Sequence, residues 1–248
     1  MPTARLGVGT PVTDPVKFLA ELATKLAALD DQRPLTWRMC EAARLVLGGT
    51  GAAMTLGYTS GHRVTVCTTD EVAARLEDLQ DVLGEGPGPA AYDGGELEAV
   101  VLDEDAARRW PTFTGDAQEA FGRLAIYAIP MRSKAQVLGV LTMYRPDAEP
   151  LDQDLETAQF VSDALGAALL RDPQAHESAD VVASGPWASR APIHQATGIV
   201  MSQVSVSPED ALALMRAHAY AHDLNLYELA AEIIERRVDF SSPHMSGD

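Results

Sequence analysis

The feature that most constrains the fold of this sequence is the regular series of helix-capping motifs between residues 188 and 240. Ser207-Pro208-Glu209-Asp210 places an N-cap serine before a proline at the first helical position and an acid at the third. Asn225-Leu-Tyr-Glu228 is a second capping box, and Leu224 and Leu229 occupy the positions of a hydrophobic staple. A further apolar face precedes both caps, formed by Ile193, Ala196, Val200 and Val204. The segment therefore predicts three short helices.

The region before it changes between helical and strand periodicity. Helices are predicted at 16–26, 37–47, 70–83, 106–110, 113–121 and 153–171, and strands at 52–58, 63–68, 97–102, 124–131 and 137–144. Thr59-Ser-Gly-His62 has the composition of a hairpin turn, residues 84–89 form a Gly/Pro loop, and Asp152 is the expected N-cap of the last helix. This order predicts an α+β fold in which helices flank an antiparallel sheet.

Two stretches of loop composition suggest domain boundaries. The first fifteen residues are rich in Gly, Pro and Thr, and residues 172–186 are polar and contain proline, as linkers do. We therefore predict a lead-in at 1–15, a domain at 16–171, a linker at 172–186, a helical domain at 187–240 and a tail at 241–248.

The charge of the chain argues against general nucleic-acid binding. The net charge is −17, and residues 187–248 contain eight acidic residues and only four arginines. Any contact with RNA or DNA must therefore depend on a few well-placed groups. No Gly-Lys phosphate loop, dinucleotide-binding glycine motif or nucleophile elbow is present, and Pro89 stands where the glycine motif needs its third glycine. We expect a protein that is not an enzyme.

The apolar runs, the cysteines and the histidines indicate where the protein acts and which kinds of site it lacks. No apolar run approaches the roughly 18 residues of a membrane span and no secretory signal is present, so we expect a cytoplasmic protein without membrane contact. Cys40 and Cys67 occupy apolar positions and are predicted to be core thiols. His218 and His222 share a helical face, but a third ligand and a catalytic glutamate are missing, so no metal site is predicted.

The C-terminal motifs resemble those of an ANTAR domain. They are Ala196-Thr-Gly198-Ile-Val-Met201, Val206-Ser-Pro-Glu-Asp-Ala211, Leu214-Met-Arg216-Ala-His-Ala219 and Leu229-Ala230 with Glu232-Ile-Ile234. Residues 16–171 resemble a GAF domain through Leu83-Gly-Glu-Gly-Pro87, Arg109-Trp110-Pro111, Ile129-Pro130-Met131 and Val137-Leu-Gly-Val-Leu141. Together they look like the GAF-ANTAR type of regulator, frequent in actinobacteria. The resemblance implies binding to paired stem-loops of leader RNA, antitermination of transcription, dimerisation and sensing of an unknown small molecule.

The resemblance and the residue chemistry together suggest which groups contact RNA. Gly198 lies in mid-helix, which is explained either by a functional need for backbone or a neighbouring helix to approach closely or by tight helix packing alone. Arg216 suits a phosphate or a base edge, or else an ion pair with Glu209 or Asp223. The remaining candidates are Thr197, Met201 and Gln203, Asn225 (which its role as a cap already explains), and Arg236 and Arg237, which equally suit a helix C-terminus.

In the GAF-like region, Tyr92, Trp110 and Tyr127 are candidates to line a small-molecule pocket, although aromatic residues at such positions are more often core. The Asn-Lys-Phe-Asp-Glu motif of the family's cyclic-nucleotide binders is missing, and the sequence identifies no cofactor. The alternative to an RNA-binding regulator is an acidic sensor that acts through protein contacts alone.

Helix 153–171 carries an apolar seam with the spacing of a helix pair. Its residues are Leu155, Ala158, Ser162, Leu165 and Leu169. We expect this seam to join two copies of the chain as a homodimer and to couple the two domains.

Overall fold

The structure is a computed structural model that describes residues 14–57, 63–133, 136–171, 190–222 and 224–241. Within these residues the strands are β1 (Gly51–Gly57), β2 (Arg63–Thr68), β3 (Glu98–Val101), β4 (Leu124–Ser133) and β5 (Gln136–Pro146). The helices are α1 (Pro15–Ala28), α2 (Leu35–Leu47), α3 (Glu71–Leu83), α4 (Pro87–Gly94), α5 (Glu104–Arg109), α6 (Pro111–Phe121), α7 (Leu155–Leu169), α8 (Arg190–Val204), α9 (Pro208–Ala221) and α10 (Leu226–Ile234). The predicted hairpin turn at 59–62 and the linker at 172–186 lie outside the described residues.

The five strands form one antiparallel sheet in the order β2-β1-β5-β4-β3. Because side chains alternate along a strand, β4 contributes to two cores. Ile129 and Met131 pack with α1, α2 and α7, whereas Leu124 and Ile126 face the side that carries α3 and α6. The predicted α+β class with an antiparallel sheet is confirmed.

The first core also encloses both thiols. Cys40 of α2 and Cys67 of β2 are buried, as the sequence predicted. The hydrogen bond with the Cys67 thiol, together with complete burial, raises the pKa of Cys40 well above its usual value. The Cys40 thiol is therefore a neutral packing element rather than a reactive thiolate at neutral pH.

Helix α7 uses its apolar seam inside the domain. Ala158, Ser162, Leu165 and Leu169 are buried, and α7 packs on β4 and against α1 and α2. The Ser162 hydroxyl donates a hydrogen bond to the carbonyl of Ile129 at 3.1 Å. The prediction that this seam pairs with a second copy is therefore wrong, because the seam covers the domain's own sheet. The helix also begins after Asp154, whose side chain accepts from the Thr157 amide, rather than after Asp152.

The opposite face of the sheet is covered by α3 to α6. Helix α3 begins at the N-cap Asp70 and ends at Gly84, whose φ of +68° is the left-handed conformation that favours glycine. Helix α4 occupies much of the segment predicted as a loop, because Pro87 and Pro89 lie in its first turn, where their missing amide hydrogens cost no helical hydrogen bond. Helices α5 and α6 lie on either side of Trp110, as predicted.

Helices α8, α9 and α10 form a bundle with its own core, which confirms the three predicted C-terminal helices. Ala196 and Val200 of α8, Met215 of α9, and Leu229 and Ile233 of α10 are fully buried in it. One residue of the sheet domain, Val82 of α3, is buried in the same cluster. The bundle is therefore packed directly on α3.

Candidate functional site

The caps of the C-terminal bundle form as the sequence predicts. The Ser207 hydroxyl accepts from the amide of Asp210 at 3.1 Å. The Asn225 side chain accepts from the amide of Glu228 at 2.8 Å, and the Glu228 carboxylate accepts from the amide of Asn225 at 3.1 Å. Asn225 is thus engaged as a cap, which agrees with its structural explanation.

Three of the predicted RNA contacts turn inward. The Thr197 hydroxyl donates to the carbonyl of Ile193 at 2.7 Å and lies 3.6 Å from the sulfur of Met215. The Gln203 side-chain carbonyl accepts from the amide of Phe240 at 3.1 Å. Met201 is half-buried and packs against the bundle core. These groups stabilise the bundle and present little polar surface to a ligand.

Gly198 is different, because it is exposed in the middle of α8. A Cβ atom added there would meet no atom of the described chain within 4 Å. Exposed Gln195 and Ser202 lie one turn before and one turn after it, on the same face of the helix. Tight packing within the described residues therefore does not explain this glycine.

Arg236 and Arg237 lie just beyond the end of α10 and are exposed. Arg236 adopts a φ of +60°, and the Arg237 guanidinium pairs with the carboxylate of Glu235. Both cations stand next to the last carbonyls of the helix, whose partial negative charge they offset. They are the exposed cations among the predicted contacts.

Arg216 of α9 points towards the sheet domain. Its Nε donates to the carbonyl oxygen of Asp81, near the end of α3, at 3.0 Å. Its Nη1 would lie 3.0 Å from a Cβ atom added at Gly84. The group we expected at an RNA surface is half-buried at the contact between the two domains.

An open cleft of about 350 Å³ adjoins this contact. Arg75, Asp78 and Asp116 line it from the sheet domain, and Tyr220, Asn225 and Glu228 line it from the bundle. Burial raises the pKa of Asp116, while a hydrogen bond from the Tyr220 hydroxyl acts in the opposite direction.

A second, much smaller cavity of about 20 Å³ lies between α3, α4 and the sheet. Its polar lining is a connected network: Thr55 donates to Glu77 at 2.8 Å, Gln80 donates to Glu77 at 3.0 Å, and the amide of Gly88 donates to Gln80 at 2.6 Å. Burial raises the pKa of Glu77, opposed by hydrogen bonds that include the one from Thr55. The space is enough for about one water molecule.

The sequence did not single out Glu77 or Gln80. The sequence carries one indication that they are buried. Ala73, Leu76 and Gln80 share the spacing of the buried face of α3, so a polar residue on that face is expected to be enclosed. At Gly86 and Gly88, a Cβ atom would lie 2.8 and 2.9 Å from the Gln80 side chain, so both glycines leave room for it.

The three aromatic candidates do not share one pocket. Tyr92 packs against the cluster that contains Val140, a residue of the small cavity. Trp110 is buried in the core of the same face, with the Arg109 guanidinium 4.1 Å above its ring. Tyr127 lies on the opposite face of the sheet, and its hydroxyl donates to the carbonyl of Glu149 at 3.4 Å.

His218 and His222 stack with their ring centroids 4.1 Å apart. Among the described residues, no cluster of three or more His, Cys, Asp or Glu has the geometry of a metal site. Over the same part of the chain, no helix has the length and apolar character needed to span a membrane.

The structure thus combines an α+β domain with a small three-helix bundle. Comparison with known families agrees: a GAF domain model matches residues 38–169, more than half of the chain, and an ANTAR domain model matches residues 187–234. The chain belongs to the GAF family and combines this domain with an ANTAR domain, as a GAF-ANTAR regulator does. GAF domains are sensor modules, and ANTAR domains are RNA-binding modules of transcription antitermination.

No curated protein matches the sequence. Solved structures are similar to its larger domain at low identity. The nlh2 GAF domain of A. aeolicus in an inactive state is 14% identical with a TM-score of 0.37, covering 64% of this chain and 97% of that one. The chromophore-binding domain of the Stigmatella aurantiaca bacteriophytochrome is 8% identical with a TM-score of 0.40, covering 65% and 62%.

Proposed function

We propose that this protein is a signal-responsive regulator that binds stem-loop leader RNA and prevents transcription termination. The ANTAR match and the three-helix bundle that forms in the matched region support this proposal. RNA is recognised mainly through splayed loop bases rather than through duplex grooves, so a bundle with few cations is able to bind it. Cytoplasmic action follows from this role.

The observation that carries the proposal is Gly198. A glycine in the interior of a helix costs about 0.5–1 kcal/mol relative to alanine. Within the described chain nothing approaches it closely enough to require the missing Cβ atom. A ligand that contacts the helix backbone at this point supplies the reason, and an RNA loop or sugar-phosphate chain fits this exposed face. Arg236 and Arg237 are exposed in the same bundle and supply the phosphate contacts.

The experiment measures RNA affinity for Gly198→Ala in the full chain. The probe is a pool of RNAs with two adjacent stem-loops and randomised loop sequences, enriched by binding to the wild-type protein. Alanine stabilises α8 yet places a methyl group on the RNA-facing surface, so we expect a higher melting temperature and at least fivefold weaker binding.

Gly115 provides the matched control. It is also exposed in mid-helix, in α6, and a Cβ atom there would meet nothing within 4 Å. Gly115→Ala is expected to stabilise the protein without changing RNA affinity. Unchanged binding by Gly198→Ala would remove the main support for this surface, and failure to enrich any RNA would remove the proposed function.

The sensor part of the proposal concerns the face covered by α3 to α6. The cavity there holds about one water molecule, so a small-molecule signal must displace α3, α4 or the glycine segment between them. Tyr92 lies beside this space. No class of ligand is assigned.

The homodimer remains part of the proposal, but with a different surface. Leu170, which directly follows α7, is 46% exposed, and Val16 and Leu19 of the neighbouring α1 are 74% and 43% exposed. We propose that a second copy covers these outer residues of α1 and α7, while the seam of α7 stays in the domain core.

The alternative is that the acidic chain binds a partner protein without RNA. The inward placement of Thr197, Gln203 and Arg216 favours it. The same enrichment experiment decides between the two functions. The partner-protein alternative predicts that neither the wild type nor any variant binds RNA at low salt.

A further inference from the structure

Helix α3 is in contact with both sites. One side carries Glu77 and Gln80 into the small cavity, and its C-terminal end meets the ANTAR bundle through Asp81 and Val82. A movement of α3 therefore alters both the small cavity and the contact with the ANTAR bundle. This coupling through α3 differs from the predicted coupling of the domains through the seam of α7.

The contact at the end of α3 is specific. The last carbonyls of a helix lack intrahelical partners and carry partial negative charge, which a guanidinium satisfies well. Arg216 supplies such a donor from α9, and the absence of a side chain at Gly84 leaves room for its guanidinium. Val82 is 7% exposed because the bundle covers it.

A second pair of residues faces each other across the cleft. Tyr220 of α9 and Asp116 of α6 both line it, and Tyr220 acts to lower the pKa of Asp116, so α9 meets the sheet domain at Arg216 and, one helical turn further on, at Tyr220. Both residues come from the same helix, so the sensor domain covers one face of α9 rather than the bundle as a whole. The Gly198 surface of α8 stays exposed.

We propose that this contact is autoinhibitory: the GAF domain holds α9 against the end of α3 and thereby withholds Arg216 from RNA. Displacement of α3 by a signal in the small cavity releases α9 and makes Arg216 available. The inference rests on the proposed function, since it concerns regulation of the same RNA site. The docked protein then binds RNA without the Arg216 contact, so its RNA affinity is lower than that of the released protein.

The test breaks the contact from the sensor side and leaves the ANTAR bundle unaltered. In full-length protein, Val82→Asp places a carboxylate in the apolar contact. Because the new charge also repels RNA, a gain in affinity cannot arise from simple electrostatics. We expect about tenfold tighter binding to the enriched stem-loop RNA, because the released protein adds one charge-assisted contact from Arg216. Leu45→Asp, at an exposed leucine of α2, makes the same chemical change elsewhere and is expected to leave affinity unchanged.

Asp116→Ala provides a second route that does not touch a buried residue. It removes the carboxylate that faces Tyr220 across the cleft and should tighten RNA binding about threefold. Glu119→Ala removes the same charge from an exposed position of the same helix and should not. The hydrogen exchange of the α9 backbone amides measures docking in the absence of RNA. We expect faster exchange in Val82→Asp and Asp116→Ala only.

The outcomes distinguish autoinhibition from the proposed RNA-binding function. Tighter RNA binding with faster α9 exchange supports autoinhibition. RNA binding that is equal in the wild type and both variants overturns autoinhibition and leaves the proposed function standing. If faster exchange brings no RNA binding in any protein, the RNA-binding function and its proposed regulation both fail. Should Val82→Asp not fold, Asp116→Ala and Glu119→Ala decide alone.

Discussion

At the scale of single residues, Glu77 has an unusual position for a carboxyl group. It is buried, and its pKa is raised because burial disfavours the charged form. A carboxyl whose folded pKa exceeds its unfolded value contributes stability fully below the unfolded value, near 4.5. That contribution is lost as the pH rises through the folded pKa.

We therefore predict that Glu77→Gln becomes more stable relative to the wild type as the pH rises from about 4.5 to 8. The difference grows by about 1.4 kcal/mol for each unit by which the folded pKa exceeds the unfolded value. The measurement is the urea midpoint of the sheet domain at several pH values. The same substitution at exposed Glu119 is the control, and a difference for Glu77→Gln that stays constant with pH would contradict the prediction.

Residue chemistry was easier to predict than residue partners. Arg216 was identified as a planar donor, with an ion pair to Glu209 or Asp223, close to it in sequence, as the alternative; Asp223 lies outside the described residues, and this pairing stays a prediction. The structure shows a partner that the sequence did not suggest, the carbonyl of Asp81, 135 residues away. A backbone carbonyl carries no side-chain signature, so local sequence patterns cannot identify such a partner.

At the scale of elements, the sequence predicted helices best where caps mark them. Ser207 and Asn225 begin their helices through side-chain hydrogen bonds that a motif makes visible. Helix α4 was missed because prolines and glycines dominate it and predict a loop. The seam of α7 was visible, but periodicity shows only that a helix face is apolar, and not whether a sheet or another helix covers it.

The outer surface of α1 and α7 leads to a prediction at this scale. The double variant Leu19→Asp, Leu170→Asp should convert a wild-type dimer into a monomer, because it places two carboxylates on each side of the proposed interface. Light scattering coupled to size exclusion measures the mass. Both leucines are more than 40% exposed, so folding should be preserved.

Leu45→Asp again provides the control, since Leu45 is 40% exposed on α2. It should remain dimeric. A monomeric wild type, or a double variant that stays dimeric, would show that this surface does not join two copies.

At the scale of the whole molecule, the net charge of −17 has to be reconciled with RNA as a partner. Affinity for RNA falls with salt because each phosphate contact releases counterions, with a slope of about −0.7 per contact on single strands. A protein that offers Arg236 and Arg237 alone should show a slope near −1.4, which is shallow for a nucleic-acid-binding protein. Recognition must then come mainly from contacts to loop bases.

This arithmetic turns the proposed release of Arg216 into a measurable quantity. If the sensor domain withholds Arg216, Val82→Asp should steepen the salt slope of RNA binding by about 0.7 relative to the wild type, and Val82→Asp combined with Arg216→Ala should return to the wild-type slope. Arg216→Ala alone should leave the slope of the docked protein nearly unchanged, whereas in a protein that always presents Arg216 it flattens the slope.

Arg108→Ala, at an exposed arginine paired with Asp105 in the GAF domain, is the matched control and should have no effect. The slope counts contacts independently of affinity, so it distinguishes the release of a cation from a general change in stability, and an unaltered slope in Val82→Asp would mean that Arg216 does not reach the RNA backbone.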